Sequence, residues 1–249
     1  MNWIFLSPHF DDVALSCGGL AWERALLGDT ISVWTICAGN PPGRELSAYA
    51  QFHHERWETG AQAVEHRRSE DIASCAAMGV SYRHFNIPDC IYRPRQKTIP
   101  HYYTSGSDIF GVVHPAEKKN LVHKLSQIFI PEIPPDAQIV CPLTLGNHVD
   151  HQITRLASER AAKHFMQPLL YYADYPYALV HPEQMDSFRQ KGWECIRFNI
   201  SERGMEAWCA AIAAHNSQIS TFWTDREDMR MAIQAYSRAQ DGLCLWKST

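Results

Sequence analysis

The chain opens with Trp3-Ile4-Phe5-Leu6, a short continuous apolar run stopped at Pro8 and followed at once by Asp11-Asp12 and a helical pattern. An unbroken apolar run of strand length reads as a strand buried on both faces of a parallel sheet. The unit recurs. Runs over 30–37, 80–87, 139–143 and 169–173 read as strands, separated by helical stretches over about 11–27, 48–78 (broken near Gly60), 115–130 and from 147 onward. A late strand is expected over 193–200, two helices over 203–222 and 225–240, and a final edge strand over 243–246. Strands alternating with helices specify an α/β fold, a Rossmann-like three-layer α/β/α sandwich with a doubly wound, mostly parallel sheet. The pair Gly18-Gly19 inside the first helix costs stability, so it is expected to mark close packing against the sheet or a neighbouring loop.

No linker, charge run or repeat divides the 249 residues, so a single domain spanning 1–249 is expected. A hydrophobic fraction of 45% with eight Trp supports a substantial core. The net charge of −4 and pI near 6.3 give no broad footprint for nucleic acid or an anionic membrane. No segment approaches the roughly 18 apolar residues of a membrane-spanning helix, and the start of the chain lacks a basic leader. Of eight Cys, residues 17, 37, 75, 141 and 209 fall within apolar patterns, and no Cys-x-x-Cys occurs. Free thiols and a reducing, cytoplasmic setting are the expectation.

The corner Ser7-Pro8-His9-Phe10-Asp11-Asp12 lies at the carboxyl end of the first strand, where open α/β sheets bind ligands. By itself it is ordinary, because Asp is a preferred N-cap and is favoured in a first helical turn. A second corner changes the weight. Asn147-His148-Val149-Asp150-His151 follows another strand and opens a helix whose Ile153, Leu156, Ala157, Ala161 and Phe165 fall at helical spacing. His148 and His151, three residues apart, share a side. Two such corners can meet at one end of a parallel sheet.

A catalytic zinc keeps three protein ligands and one position for water. His9, Asp12 and His151 can supply two imidazoles and a carboxylate, leaving Asp11 and His148 to handle protons. A carboxylate beside the bound water can take its proton as the water attacks a carbonyl. An imidazole, protonated or held by Asp150, can stabilise the oxyanion or protonate the leaving amine. Asp150 would fix the tautomer and orientation of that ring. This is a layout for metal-assisted amide hydrolysis, and the same ligands accept Zn2+, Fe2+ or another divalent ion. Two His and one carboxylate also form the facial triad of non-haem iron oxygenases. Those normally sit on a β-sandwich barrel, and their chemistry has no evident use for Asp11 and His148.

Pro8-His9-x-Asp11-Asp12 together with His148-x-Asp150-His151 resembles the LmbE / PIG-L family of zinc-dependent N-acetylglucosaminyl deacetylases. Arg67-x-x-Glu70 followed by Ala76-Ala77-Met78-Gly79 is similar to a family helix, and Asp174-Tyr175-Pro176-Tyr177 and Asn216-Ser217-Gln218 to further segments. The resemblance implies deacetylation of an N-acetyl-amino sugar, with His9, Asp12 and His151 as zinc ligands and Asp11 as base. It further implies His148 as the oxyanion-stabilising imidazole, oriented by Asp150. It assigns sugar hydroxyls to Arg67 and, by position after the third strand, sugar binding to Asp89. Related enzymes often form trimers or hexamers, so the resemblance makes a homo-oligomer possible, while the sequence itself does not give the oligomeric state. Two positions depart from the pattern. Phe10 replaces a Pro, and Gly146 stands where some members place a Tyr, so any tyrosine contribution to the oxyanion must come from elsewhere.

Other readings stay open. Without the resemblance, Arg67 and Arg68 fit a solvated helix face. The aromatic, basic stretch over 90–108 is a candidate lid or specificity loop. Its Arg93 and Arg95 either meet a phosphate, nucleotide or acidic aglycone or are ordinary solubilising charges. The want of a membrane helix argues against a membrane-bound glycosylphosphatidylinositol-precursor role. A longer acyl group on a glycopeptide and a thiol-conjugate amide remain alternatives. So does a non-catalytic sugar-binding homologue, although that would predict a missing base or ligand.

Overall fold

The computed structural model describes residues 1–43, 45–58, 60–93 and 101–248. Its strands are β1 (Asn2–Ser7), β2 (Thr30–Thr35), β3 (Ser81–His84), β4 (Gln138–Pro142), β5 (Leu170–Tyr172), β6 (Glu194–Phe198) and β7 (Leu243–Lys247). They form one sheet in the order β3-β2-β1-β4-β5-β7-β6. Every neighbouring pair is parallel except the two made by β7. The α-helices are α1 (Asp12–Leu26), α2 (Ala48–Arg56), α3 (Ala63–Met78), α4 (Gly106–Ile109), α5 (Pro115–Glu132) and α6 (Val149–Ala161). After these come α7 (Tyr177–Val180), α8 (Pro182–Gln190), α9 (Glu202–Ala214), α10 (Asn216–Phe222) and α11 (Arg226–Gln240).

β1 and β4 are buried on both faces because they lie in the middle of the sheet, which is why their sequences read as unbroken apolar runs. Alternate side chains serve opposite layers. Trp3 and Phe5 join Tyr172, Trp208 and Ile233 in one core, while Ile4 and Leu6 join Phe129, Ile139 and Ile153 in the other. Helices α1, α3 and α9 pack together in the first layer, and α5 packs on α6 in the second. This is the three-layer, mostly parallel arrangement that the sequence predicts.

The departures have local causes. The Gly18-Gly19 pair accommodates a helix rather than the sheet or a loop. A Cβ at Gly19 would sit 2.8 Å from the fully buried indole of Trp208 on α9, whose Nε1–H donates to Ala14 O at 2.7 Å. β3 stops at His84, and the chain beyond continues only as bridges from Asn86 to Cys37 and from Pro88 to Gly39. The helix expected over 203–222 is divided at His215 into α9 and α10. β7 is not an edge strand but is inserted, antiparallel, between β5 and β6. Cys195 and Cys244, on the neighbouring β6 and β7, form a disulfide, which corrects the expectation of free thiols throughout; the other six are free and buried. No helix among the described residues is long and apolar enough to cross a membrane.

From β1 the sheet runs outward to β2 and β3, and from β4 outward to β5. The adjacent strands β1 and β4 therefore flank the point where the strand order reverses, and a crevice opens beyond their carboxyl ends. Both His/Asp corners leave from there.

Candidate active site

In the first corner Asp11 occupies the N-cap position of α1, but its side chain caps nothing. Its Oδ1 instead accepts a hydrogen bond from Arg67 Nη2 at 3.1 Å. The capping explanation thus fails for Asp11. Asp12 Oδ2 accepts the His9 backbone N–H at 2.6 Å and lies 3.2 Å from His9 Nδ1. The other oxygen, Oδ1, lies 3.3 Å from His151 Nε2 of the second corner. One carboxylate therefore spans two imidazoles carried by neighbouring strand ends.

Each of those imidazoles is held from behind. His151 Nδ1 meets Asp174 Oδ1 at 2.6 Å, and Asp174 Oδ2 accepts the Leu145 N–H at 2.9 Å. His9 Nε2 meets Asp150 Oδ2 at 3.2 Å, and that oxygen also accepts the Cys90 N–H at 2.9 Å. A carboxylate on one ring nitrogen fixes the tautomer and leaves the other nitrogen a lone pair. His9 Nδ1 and His151 Nε2 thus both face the Asp12 carboxylate, and imidazole and carboxylate are ligand types that zinc and other divalent ions take. The His9, His148 and His151 rings also lie close enough together for a cation to be shared among them.

His148 departs from expectation in how it is oriented. No hydrogen bond joins the Asp150 carboxylate to its ring among the described residues. The Asp150 backbone N–H donates to His148 Nδ1 at 3.2 Å, as a cap of α6. Accepting at Nδ1 places the ring proton on Nε2. The loop leading to this ring takes left-handed backbone at Thr144 (φ 68°), Gly146 (74°) and Asn147 (65°), a conformation that costs the two non-glycine residues.

The charges follow from this packing. Burial opposes a charged His9, but Asp12 and Asp89, with the hydrogen bonds that Asp12 and Asp150 accept from the ring, hold its pKa well above the ordinary value. Burial likewise opposes a charged His151, and Asp12 and Asp174 outweigh it, raising the pKa to about 9. Asp12 overcomes its burial through His151 and His9 and stays far below the carboxylate range. Burial and the neighbouring His9 and His151 push His148 well down, toward the neutral ring.

His9, Asp11, Asp12, His148 and His151 line a cleft of about 330 Å³. Arg67 is buried in its wall, not on a solvated face, with its guanidinium 4.6 Å from the Trp57 ring centroid and 5.6 Å from that of Phe10. Asp89 also lines the cleft, with Oδ2 3.7 Å from His9 Nε2 and Oδ1 accepting the Ile91 N–H at 3.1 Å. Arg68 turns away, donating to Ala38 O at 2.7 Å. Arg93 fits neither reading proposed for it. It is buried, paired with Glu117 at 2.6 and 3.1 Å and with Asp150 at 2.6 Å. Arg95 lies outside the described residues.

Sequence reasoning passed over several contributors. Asp174 belongs to a quoted segment but drew no role; its placement directly after β5, next to β4, was the available signal. Trp57 and Tyr49 from the α2 region, Phe110, Tyr177 and Gln218 complete the cleft. Glu70 acts at a distance, accepting from Ser217 N and Oγ at 2.7 and 2.6 Å and so fixing the start of α10, which carries Gln218.

Comparison with known proteins agrees with this picture. The PIG-L family profile, described as GlcNAc-PI de-N-acetylase, matches residues 4–162. The 2'-N-acetylparomamine deacetylase of Niallia circulans is 31% identical over 220 residues, covering 80% of this chain and 74% of that protein. The enzyme of the same name from Streptomyces fradiae is 28% identical over 178 residues, or 70% of this chain and 57% of that one. A crystal structure of a zinc-inhibited teicoplanin deacetylase superposes with a TM-score of 0.80 at 24% identity, covering 99% of this chain and 97% of the other, and shows a shared fold. With the family profile spanning well over half its length, and both motifs meeting at one switch point, this chain belongs to the PIG-L family.

Proposed function

We propose that the protein is a divalent-metal hydrolase, with zinc as the favoured ion, that removes the N-acetyl group from an N-acetyl-amino sugar. The observation that carries this reading is the convergence of His9 Nδ1 and His151 Nε2 on the Asp12 carboxylate, each ring backed by its own buried carboxylate. His9, Asp12 and His151 are the ligands in this reading, and the bound cation supplies a Lewis acid that makes water nucleophilic at neutral pH.

The remaining groups divide the proton work. Asp11, held by Arg67 and free of any capping duty, takes a proton from the attacking water. His148 offers Nε2–H to the oxygen on which negative charge develops, because Nδ1 is already an acceptor. A neutral ring with one proton serves as a hydrogen-bond donor, so the proton for the leaving amine comes from the acid form of Asp11. Water's oxygen ends on the acetate and the C–N bond electrons on the amine. Asp150 positions His9 through its carboxylate and His148 through its backbone N–H. The substrate class is supported by the shape and lining of the cleft. The Trp57 and Tyr49 rings offer flat apolar faces, and Arg67 and Asp89 offer polar partners for a pyranose and its hydroxyls.

The test combines metal analysis with a free-amine assay over N-acetylglucosamine glycosides, N-acetylated aminoglycosides and nucleotide-linked sugars. The expected result is about one bound metal per chain and amine release that Asp11→Asn abolishes without loss of metal. Bound metal without release from any sugar would refute the deacetylase reading.

A further inference from the structure

Gly146 is held at φ 74°, and a Cβ built there would lie 2.5 Å from both Cδ1 and Cγ of Tyr177. The Tyr177 ring therefore fills the volume that any side chain at 146 would claim. Tyr177 opens α7, three residues after the Asp174 that holds His151. Its ring stands edge-on to His151, with centroids 6.3 Å apart, and packs on Phe110 at 5.7 Å. It lines the same cleft as His148, and its hydroxyl is bonded to no protein group among the described residues.

We propose that Tyr177 is a catalytic residue whose hydroxyl donates a hydrogen bond to the acyl oxygen of the scissile amide, as a second donor beside His148 Nε2–H. This rests on the amide-hydrolase reading above. As water attacks the carbonyl carbon, the C=O π pair moves onto oxygen and the phenol O–H bond to it tightens without proton transfer. When the pair returns, the C–N bond breaks and the amine takes its proton from Asp11. An ordinary phenol, with a pKa of about 10, stays protonated and able to donate throughout the neutral range. The placement also explains why residue 146 must be small: the donor enters from the β5–α7 corner, and a side chain at 146 would expel it.

Tyr177→Phe tests this, because it keeps the ring that packs over Gly146 and deletes only the hydroxyl. Loss of one oxyanion donor is expected to lower kcat by about 10²–10³-fold, with KM, metal content and unfolding temperature unchanged. The deficit should shrink for an N-trifluoroacetyl substrate, whose oxyanion is less basic and needs less help. Wild-type kcat in the variant, a change confined to KM, or lost metal would each overturn the inference. An equal deficit on both substrates would assign the hydroxyl a structural role and overturn it as well. If the wild-type protein releases no amine from any N-acetyl sugar, the hydrolase reading falls first and takes this inference with it.

Discussion

Arg93 offers the sharpest test of how the site is built. Its guanidinium meets Glu117 through Nε at 2.6 Å and Nη2 at 3.1 Å, and meets Asp150 through Nη1 at 2.6 Å. All three side chains are at most 7% exposed. Arg93→Met preserves much of the volume and removes the cation that joins Glu117 to Asp150, leaving Asp150 with His9 as its remaining cationic partner. Breaking a buried pair from one side costs about 3–5 kcal/mol. For a chain of this size that lowers Tm by roughly 6–20 °C, at about 2–4 °C per kcal/mol. The pH dependence has a definite sign. Burial alone would raise the Asp150 pKa, but Arg93, followed by His9, depresses it well below the ordinary value. In the wild-type protein that depression contributes stability present above about pH 4 and lost below it, as pH falls through the folded value. Without Arg93 the largest opposing charge is lost and the folded value rises toward the ordinary one, with His9 still lowering it, so protonation costs the variant less as pH falls. The penalty should be largest near pH 7 and smaller near pH 5. Thermal unfolding of both proteins, stripped of metal by chelation, measures it. A change below about 1 kcal/mol, or a penalty that grows on acidification, would refute the reasoning.

Asp174→Asn should weaken metal binding about 10–100-fold, because it removes the charge behind His151 while retaining an acceptor for the Leu145 N–H; competition with a chelator of known affinity reads this directly. Arg67→Ala should lower kcat as well as raise KM, since the guanidinium both lines the cleft and holds Asp11; steady-state kinetics with a KM effect alone would separate Arg67 from the base. Metal-free protein should lose stability as pH rises from about 6.5 toward 9, because a His151 pKa raised to about 9 in the fold gives stabilisation that is complete only below the unfolded value near 6.5. A melting temperature that climbs over that interval would contradict this.

The sheet was legible because β1 and β4 are covered on both sides and announce themselves as unbroken apolar runs. The two His/Asp corners were legible because each follows such a run directly. What stayed hidden depends on contacts between distant segments. Nothing local tells that Gly18-Gly19 awaits Trp208, or that β7 is drawn into the sheet interior. The buried place of Arg93 was equally hidden, because its partners lie 24 and 57 residues away. Spacing within His148-x-Asp150-His151 suggested that Asp150 orients its neighbour. In the helix the carboxylate instead reaches across the switch point to His9, and only the backbone N–H serves His148.

The insertion of β7 also bears on how the chain is assembled. Among the described residues β6 has β7 as its only neighbour, and β5 completes its pairing through the same strand. During synthesis, β1 to β5 can pair as they emerge, but β5 presents an open edge and β6 has nowhere to dock until the last described strand is made. Exposed strand edges recruit other chains. The segment from Leu243 to Lys247 therefore acts as the closing stitch of the sheet. An interruption of synthesis just before it would leave a nascent chain with the edge of β5 uncovered, on the strand that leads directly into Asp174.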